Sequence, residues 1–175
     1  NFLKPNSIDK NYDHEKEFYL AIDNCCPFIC KVYGQTEDKH IVLEYIEGET
    51  LEHFITNGKN IELKVKMKII CQILFAILYS HSQGFFLRDL KSDNIMVDLS
   101  ENAFLIDFNY SKKTDPSESD KSYDFGSFYF VAPEISSAMY SYKVDSYSIG
   151  LIIHFIITGK KFNTSKKFKN LSEMQ

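Results

Sequence analysis

The chain of 175 residues has no tryptophan, only four prolines and only seven glycines. So few breakers exclude a collagen-like or low-complexity polymer and leave room for long regular segments. Cysteine is equally sparse. Cys25, Cys26, Cys30 and Cys71 contain neither a C-x-x-C pair nor a second cluster, which argues against a zinc site and against a disulfide framework. Free thiols in a reducing compartment are expected, and with them a cytoplasmic location. No block of one charge dominates: 20 Lys and Arg stand against 24 Asp and Glu, and no basic cluster is dense enough for nucleic acid. A secretory leader is absent from the polar start around Lys4, Pro5, Asn6, Asp9 and Lys10. The longest apolar run, Ile149 to Ile157, is too short to cross a bilayer and carries His154, so no membrane span is expected. The first residue is Asn1 rather than Met, and the chain reads as a piece of a longer product.

What is present is enough apolar material for one core, at 44% of residues. Phe18, Ala21 and Ile22 recur at helical spacing and predict a helix over 12–24, ended by Pro27. Two β-branched and aromatic runs, 28–33 and 40–46, flank the turn formers 34–39 and predict a hairpin. Glu47-Gly48 breaks the second run, and 50–56 reads as a short helix closed near Gly58. The longest periodic segment is 61–82, where Ile69, Ile70, Ile73, Leu74, Ile77, Leu78 and His81 form one stripe and Gly84 supplies the stop. Residues 94–97 and 103–106 suit a small ribbon, 109–127 a polar loop, and 144–158 an apolar helix ending at Gly159. The fold class is therefore α+β.

Four short signals follow one another along this pattern. They are Leu87-Arg-Asp-Leu-Lys-Ser-Asp-Asn-Ile-Met-Val-Asp98, then Leu105-Ile-Asp-Phe-Asn109, then Val131-Ala-Pro-Glu134, then Asp145-Ser-Tyr-Ser-Ile-Gly150. Each is weak alone, but their order and spacing resemble the catalytic loop, metal-binding loop, activation-segment end and buried helix of a protein kinase. The resemblance covers nearly the whole chain. It implies a protein-kinase-like fold in two parts: a partial N-lobe over 1–46 with regulatory helix, hairpin and hinge, and a mostly helical partial C-lobe over 47–175. Nothing resembles the glycine-rich phosphate loop, the first N-lobe strands or the last C-lobe helices, so these segments are expected in the parent chain.

The resemblance also implies a chemistry. Phosphoryl transfer needs an aligned hydroxyl, metal ions on the phosphates and cations to absorb charge. Asp89 matches the residue that orients the substrate hydroxyl and accepts its proton, and Lys91 the lysine on the transferring phosphate. Ser127 matches the residue that bonds both. Asn94 and Asp107 match the ligands of Mg²⁺, whose preference is for hard oxygen donors. Glu17 is the expected partner of the N-lobe lysine, counted back from Pro27, with Glu15 as the alternative. Leu43 would guard the back of an ATP pocket, the backbones of Glu44 and Ile46 would hold adenine, and Met96 would form its floor. Asp145 would hold the catalytic loop from below, and Glu134 would brace the activation-segment end. Arg88 matches an arginine that reads a phosphate on the loop bearing Ser117, Ser119, Ser122 and Tyr123. Two departures stand out: Leu87 for the usual histidine and Asn109 for the glycine after Asp107-Phe108. The implied partners are ATP, Mg²⁺ and a protein substrate offering serine or threonine, since Lys91 replaces the Ala-Ala-Arg version of the loop. The rival reading is a kinase-like scaffold or binding protein without catalysis.

Overall fold

In the computed structural model the described residues are 5–58, 60–113 and 143–162, with side chains described from Tyr12 onward. Helix α1 spans Pro5–Ile22 and buries Phe18, Tyr19 and Ile22 on one face. It stops because Asp23 and Asn24 turn left-handed, at φ 46° and 54°, conformations that Asp and Asn tolerate better than most residues. The Asn24 side chain then clamps the next strand: Val32 N–H donates to Oδ1 at 2.9 Å, and Nδ2 donates to the Val32 carbonyl at 3.0 Å.

Strands β1 (Val32–Gln35) and β2 (Ile41–Leu43) form the expected hairpin, antiparallel with Val32 opposite Leu43 and a bulge at residue 33. Both are shorter than the sequence suggests. The reason lies in where the backbone bonds of 28–30 go. Cys30 N–H donates to the Leu105 carbonyl and Leu105 N–H to the Phe28 carbonyl, at 3.0 and 2.9 Å, so this segment joins the ribbon rather than the hairpin.

Strand β3 (Gly48–Thr50) runs beside β5 (Ile95–Asp98), which pairs with β6 (Ala103–Leu105) in a three-stranded antiparallel sheet. Helix α2 (Leu51–Asn57) starts on Thr50, whose hydroxyl accepts from His53 N–H, and ends at Gly58 as expected. Helix α3 (Leu63–Ser82) lays Ile69, Ile70, Ile73, Ala76 and Ile77 on the back of the sheet. Leu78, expected on that stripe, instead faces solvent at 66% exposure. The buried polar Gln72 staples helix to sheet, its Oε1 accepting from Ala103 N–H at 2.9 Å. Strand β4 (Phe85–Phe86) pairs with β7 (Lys112–Lys113) and brings both ends of the site together.

Helix α4 (Lys143–Thr158) buries Val144, Asp145, Ser148, Ile149, Ile152, Phe155 and Ile156 and packs on α3. The two helices are also tied at their ends, where Lys66 Nζ donates to the Ile157 carbonyl at 3.0 Å. Each fully buried Ile or Phe contributes about 1.5–3 kcal/mol, and the densest such packing is aromatic. Phe18 stacks on Phe108 at 3.9 Å and meets Phe85 edge-on at 5.3 Å. Among the described residues no helix is long and apolar enough to cross a membrane.

The packing of residues 25–30 on β6 makes a direct prediction. Cys25 and Cys71 are exposed while Cys26 and Cys30 are buried. Burial pushes both of the latter thiols up, that of Cys30 to about 11. Iodoacetamide at pH 8, read by peptide mass spectrometry, should label Cys25 and Cys71 in the native chain and the other two only after denaturation. Equal native labelling of all four would contradict this packing.

Candidate active site

The geometry is built on Asp145 of α4. Its carboxylate is fully buried and accepts three hydrogen bonds: Leu87 N–H at 3.0 Å and His81 Nε2 at 2.7 Å on Oδ2, and Arg88 N–H at 2.9 Å on Oδ1. A buried carboxylate needs such donors, and here they fix the loop above. Arg88 is held at φ 62°, and its Nε donates to the Tyr110 carbonyl at 2.7 Å. Leu87 is buried in the same apolar core as Phe108, where an aliphatic side chain serves as well as a ring.

On that support the candidates Asp89, Lys91 and Asn94 converge. Lys91 Nζ donates to Asp89 Oδ2 at 2.7 Å. Asn94 Nδ2 donates to the same oxygen at 3.0 Å and to the Asp89 carbonyl at 3.1 Å. A short helical turn, Ser92–Asn94, follows Lys91 and carries Asn94. Its Ser92 hydroxyl donates to Glu52 Oε2 at 2.5 Å, and Glu52 Oε1 pairs with Lys161 at 2.9 Å. Glu52 was not legible as a site residue, because nothing local in α2 announces a partner 40 positions away.

Across from this turn, Ile106 N–H donates to the Asn94 carbonyl at 3.0 Å, which sets Asp107 beside it. Asp107 is left-handed, φ 60°. Its Oδ1 accepts from Asn109 Nδ2 at 2.7 Å and from Asn109 N–H at 3.3 Å. The left-handed residue in this motif is thus Asp107 and not Asn109, which explains why a glycine is not required at 109.

Glu17 is exposed, whereas Glu15 reaches the loop, its Oε1 accepting from Phe108 N–H at 3.5 Å. Burial pushes the Glu15 carboxyl up, the Phe108 N–H opposes that, and the Asp107 charge adds to it. Glu15 is the alternative that the count from Pro27 allows. The signal was in the sequence: Glu15, Phe18, Tyr19 and Ile22 follow the i, i+3, i+4, i+7 spacing of one helix face.

The candidate nucleotide positions lie at the hinge. Leu43 ends β2 half-buried; Glu44 N–H donates to the Lys31 carbonyl at 2.8 Å, while its own carbonyl accepts from the Cys30 thiol at 3.3 Å. Ile46 is half-buried in the connection to β3. Met96 is half-buried on β5, opposite Thr50 on one side and Phe104 on the other. Ser127, Glu134 and the serines and tyrosine of the 117–123 loop lie outside the described residues. Asn94 Oδ1 and Asp107 offer hard oxygens suited to Mg²⁺, and no group of three or more His, Cys, Asp or Glu forms a cage among the described residues. That donor set fits an ion which takes one or two protein oxygens and completes its shell on phosphate.

A family model described as protein kinase domain matches residues 3–175. The chain belongs to that family. Developmentally-regulated protein kinase 1 of Dictyostelium discoideum is 32% identical to this kinase domain over 166 residues, covering 91% of the chain and 23% of the relative. The mitogen-activated protein kinase kinase kinase bck1 of Aspergillus fumigatus is 35% identical over 91% of the chain and 11% of its own length. The "Probable serine/threonine-protein kinase KIN1 homolog" of Enterocytozoon bieneusi is 32% identical over 77% of the chain and 23% of its own length. The kinase domain described here thus spans less than a quarter of each of these relatives.

Glu15 gives a pH prediction for the 175-residue kinase chain. A carboxyl raised above its ordinary 4.5 contributes stability below that value and loses it as pH rises through the raised one. Glu15→Gln should therefore raise the melting temperature at pH 7, with the advantage over wild type vanishing below about pH 4. A variant less stable than wild type at pH 7 would mean that a cation already compensates Glu15.

Proposed function

We propose that this kinase domain is the catalytic piece of an ATP-dependent protein serine/threonine kinase, its N-lobe part over 1–46 and its C-lobe part over 47–175. The observation that carries the reading is the convergence of Lys91 and Asn94 on one oxygen of Asp89. A carboxylate so held has a fixed direction. Such a carboxylate can orient a substrate hydroxyl and take its proton. Lys91 supplies a cation where charge develops on the phosphoryl group. Asn94 and Asp107 would hold Mg²⁺, which when bound neutralises the phosphates of ATP. Leu43, Glu44, Ile46 and Met96 would receive adenine, and Ser127 would steady Asp89 and Lys91.

The serine/threonine preference rests on Lys91 and on the names of relatives such as the KIN1 homolog. Four cysteines without a disulfide among them support a reducing, cytoplasmic setting. Arg88 resembles the arginine that reads an activation-loop phosphate, and it has basic neighbours beside α1. His14 there is held below its ordinary value by burial and then by the Arg88 and Lys112 charges, so three basic side chains share one locality.

Two substitutions in the full-length protein test the reading. Asp89→Asn should lower kcat for serine or threonine peptides by on the order of a thousand-fold with little change in ATP affinity, since the base is lost but adenine contacts remain. No measurable transfer by the wild-type protein would instead favour the scaffold reading. Asp107→Ala should abolish the strengthening of ATP binding by Mg²⁺ while preserving the circular dichroism spectrum. Metal dependence that survives that substitution would remove Asp107 from the site.

A further inference from the structure

The residue that departs from the family motif, Asn109, does something that a glycine cannot. Its side-chain amide donates to Asp107 Oδ1 at 2.7 Å, while its own N–H reaches the same oxygen at 3.3 Å. Both donors fall on one oxygen. A carboxylate can be given to a metal through one oxygen or through two, and the cation decides which it needs. Mg²⁺ is small, demands near-ideal octahedral geometry and is satisfied by single oxygens, whereas Ca²⁺ takes more ligands in flexible arrangements and gains from both oxygens of a carboxylate.

We propose that Asn109 is a specificity-determining residue for the divalent cation: by occupying Oδ1 it leaves Asp107 as a one-oxygen ligand and biases the site toward Mg²⁺ over Ca²⁺. The inference rests on the proposed role of Asp107. The surroundings hold the backbone of Asp107 in place, so Asn109 stays within reach of its carboxylate. Asp107 sits at φ 60°, the following Phe108 is locked between Phe18 and Tyr19, and Phe108 N–H points at Glu15. Freeing Oδ1 therefore needs the loss of the amide rather than a rotation of the loop.

The test is equilibrium binding of a fluorescent ATP analogue to the full-length protein in Mg²⁺ or Ca²⁺, with no turnover involved. Asn109→Ala and Asn109→Gly should both improve Ca²⁺-supported affinity relative to Mg²⁺-supported affinity, by roughly five-fold or more. Using both variants separates the lost amide from any change in backbone freedom. A ratio within two-fold of wild type, or one shifted toward Mg²⁺, in either variant overturns the proposal. Asp107→Ala measured in parallel distinguishes the failures. If it abolishes metal dependence while the Asn109 variants leave the ratio unchanged, only the inference about Asn109 falls. If metal dependence persists in Asp107→Ala, the metal role of Asp107 and the inference fall together.

Discussion

The site hangs on one buried carboxylate. Asp145 lies in the first turn of a helix whose later turns are mostly apolar, and it accepts from two consecutive backbone N–H groups, those of Leu87 and Arg88, and from His81 on α3. Hydrogen bonds to a charged acceptor are worth about 1.5–3 kcal/mol each. A left-handed residue such as Arg88 costs about 1–3 kcal/mol and persists only where its surroundings over-determine it. Three bonds outweigh that cost. The consequence is that Asp89 emerges from the loop at a set angle, and everything Lys91 and Asn94 do to it depends on that angle.

A second constraint is apolar and joins α1 to the loop that follows β6. Phe108 follows Asp107 directly, and it stacks on Phe18 and meets Tyr19 edge-on at 5.4 Å. Those two residues lie on the α1 face that carries Glu15. The aromatic cluster therefore sets the distance between a helix carboxyl and the loop of Asp107, two groups more than ninety positions apart. Because protein cores are packed as densely as organic crystals, a change of one ring in this cluster would move the helix rather than be absorbed locally. Position of the helix and pose of the loop are one variable.

What was legible in the sequence were features with local causes. Helix α3 declared itself by a stripe of isoleucines, the ribbon β5–β6 by alternating burial, and the stops at Gly58, Gly84 and Gly159 by the lack of a side chain. The loop of Asp89, Lys91 and Asn94 was legible through its resemblance to the catalytic loop of protein kinases. The misses share the opposite character. Residues 28–30 looked like a hairpin strand until their backbone partners turned out to lie on β6. The reach of Glu15 to the Phe108 N–H was likewise not legible from a count back from Pro27. Glu52 gave no sign, since its partners Ser92 and Lys161 are assembled only by the fold.

The two left-handed residues that flank the site show how local chemistry and long-range structure divide the work. Arg88 is held from a distance, by a carboxylate 57 positions away. Asp107 is held from two positions away, by Asn109. A distant restraint survives only while α4 is packed against α3, so the pose of Asp89 reports on the integrity of the whole core. A local restraint survives loosening of the core, because residues two apart need no tertiary contact to meet. The Asp89 carboxylate is thus tied to the packing of α4, and the candidate metal carboxylate both to its own turn and, through Phe108, to the α1 cluster. Partial unfolding around α4 would therefore disturb Asp89 first and leave the Asp107–Asn109 turn formed, a separation that follows from the sequence distance over which each restraint acts.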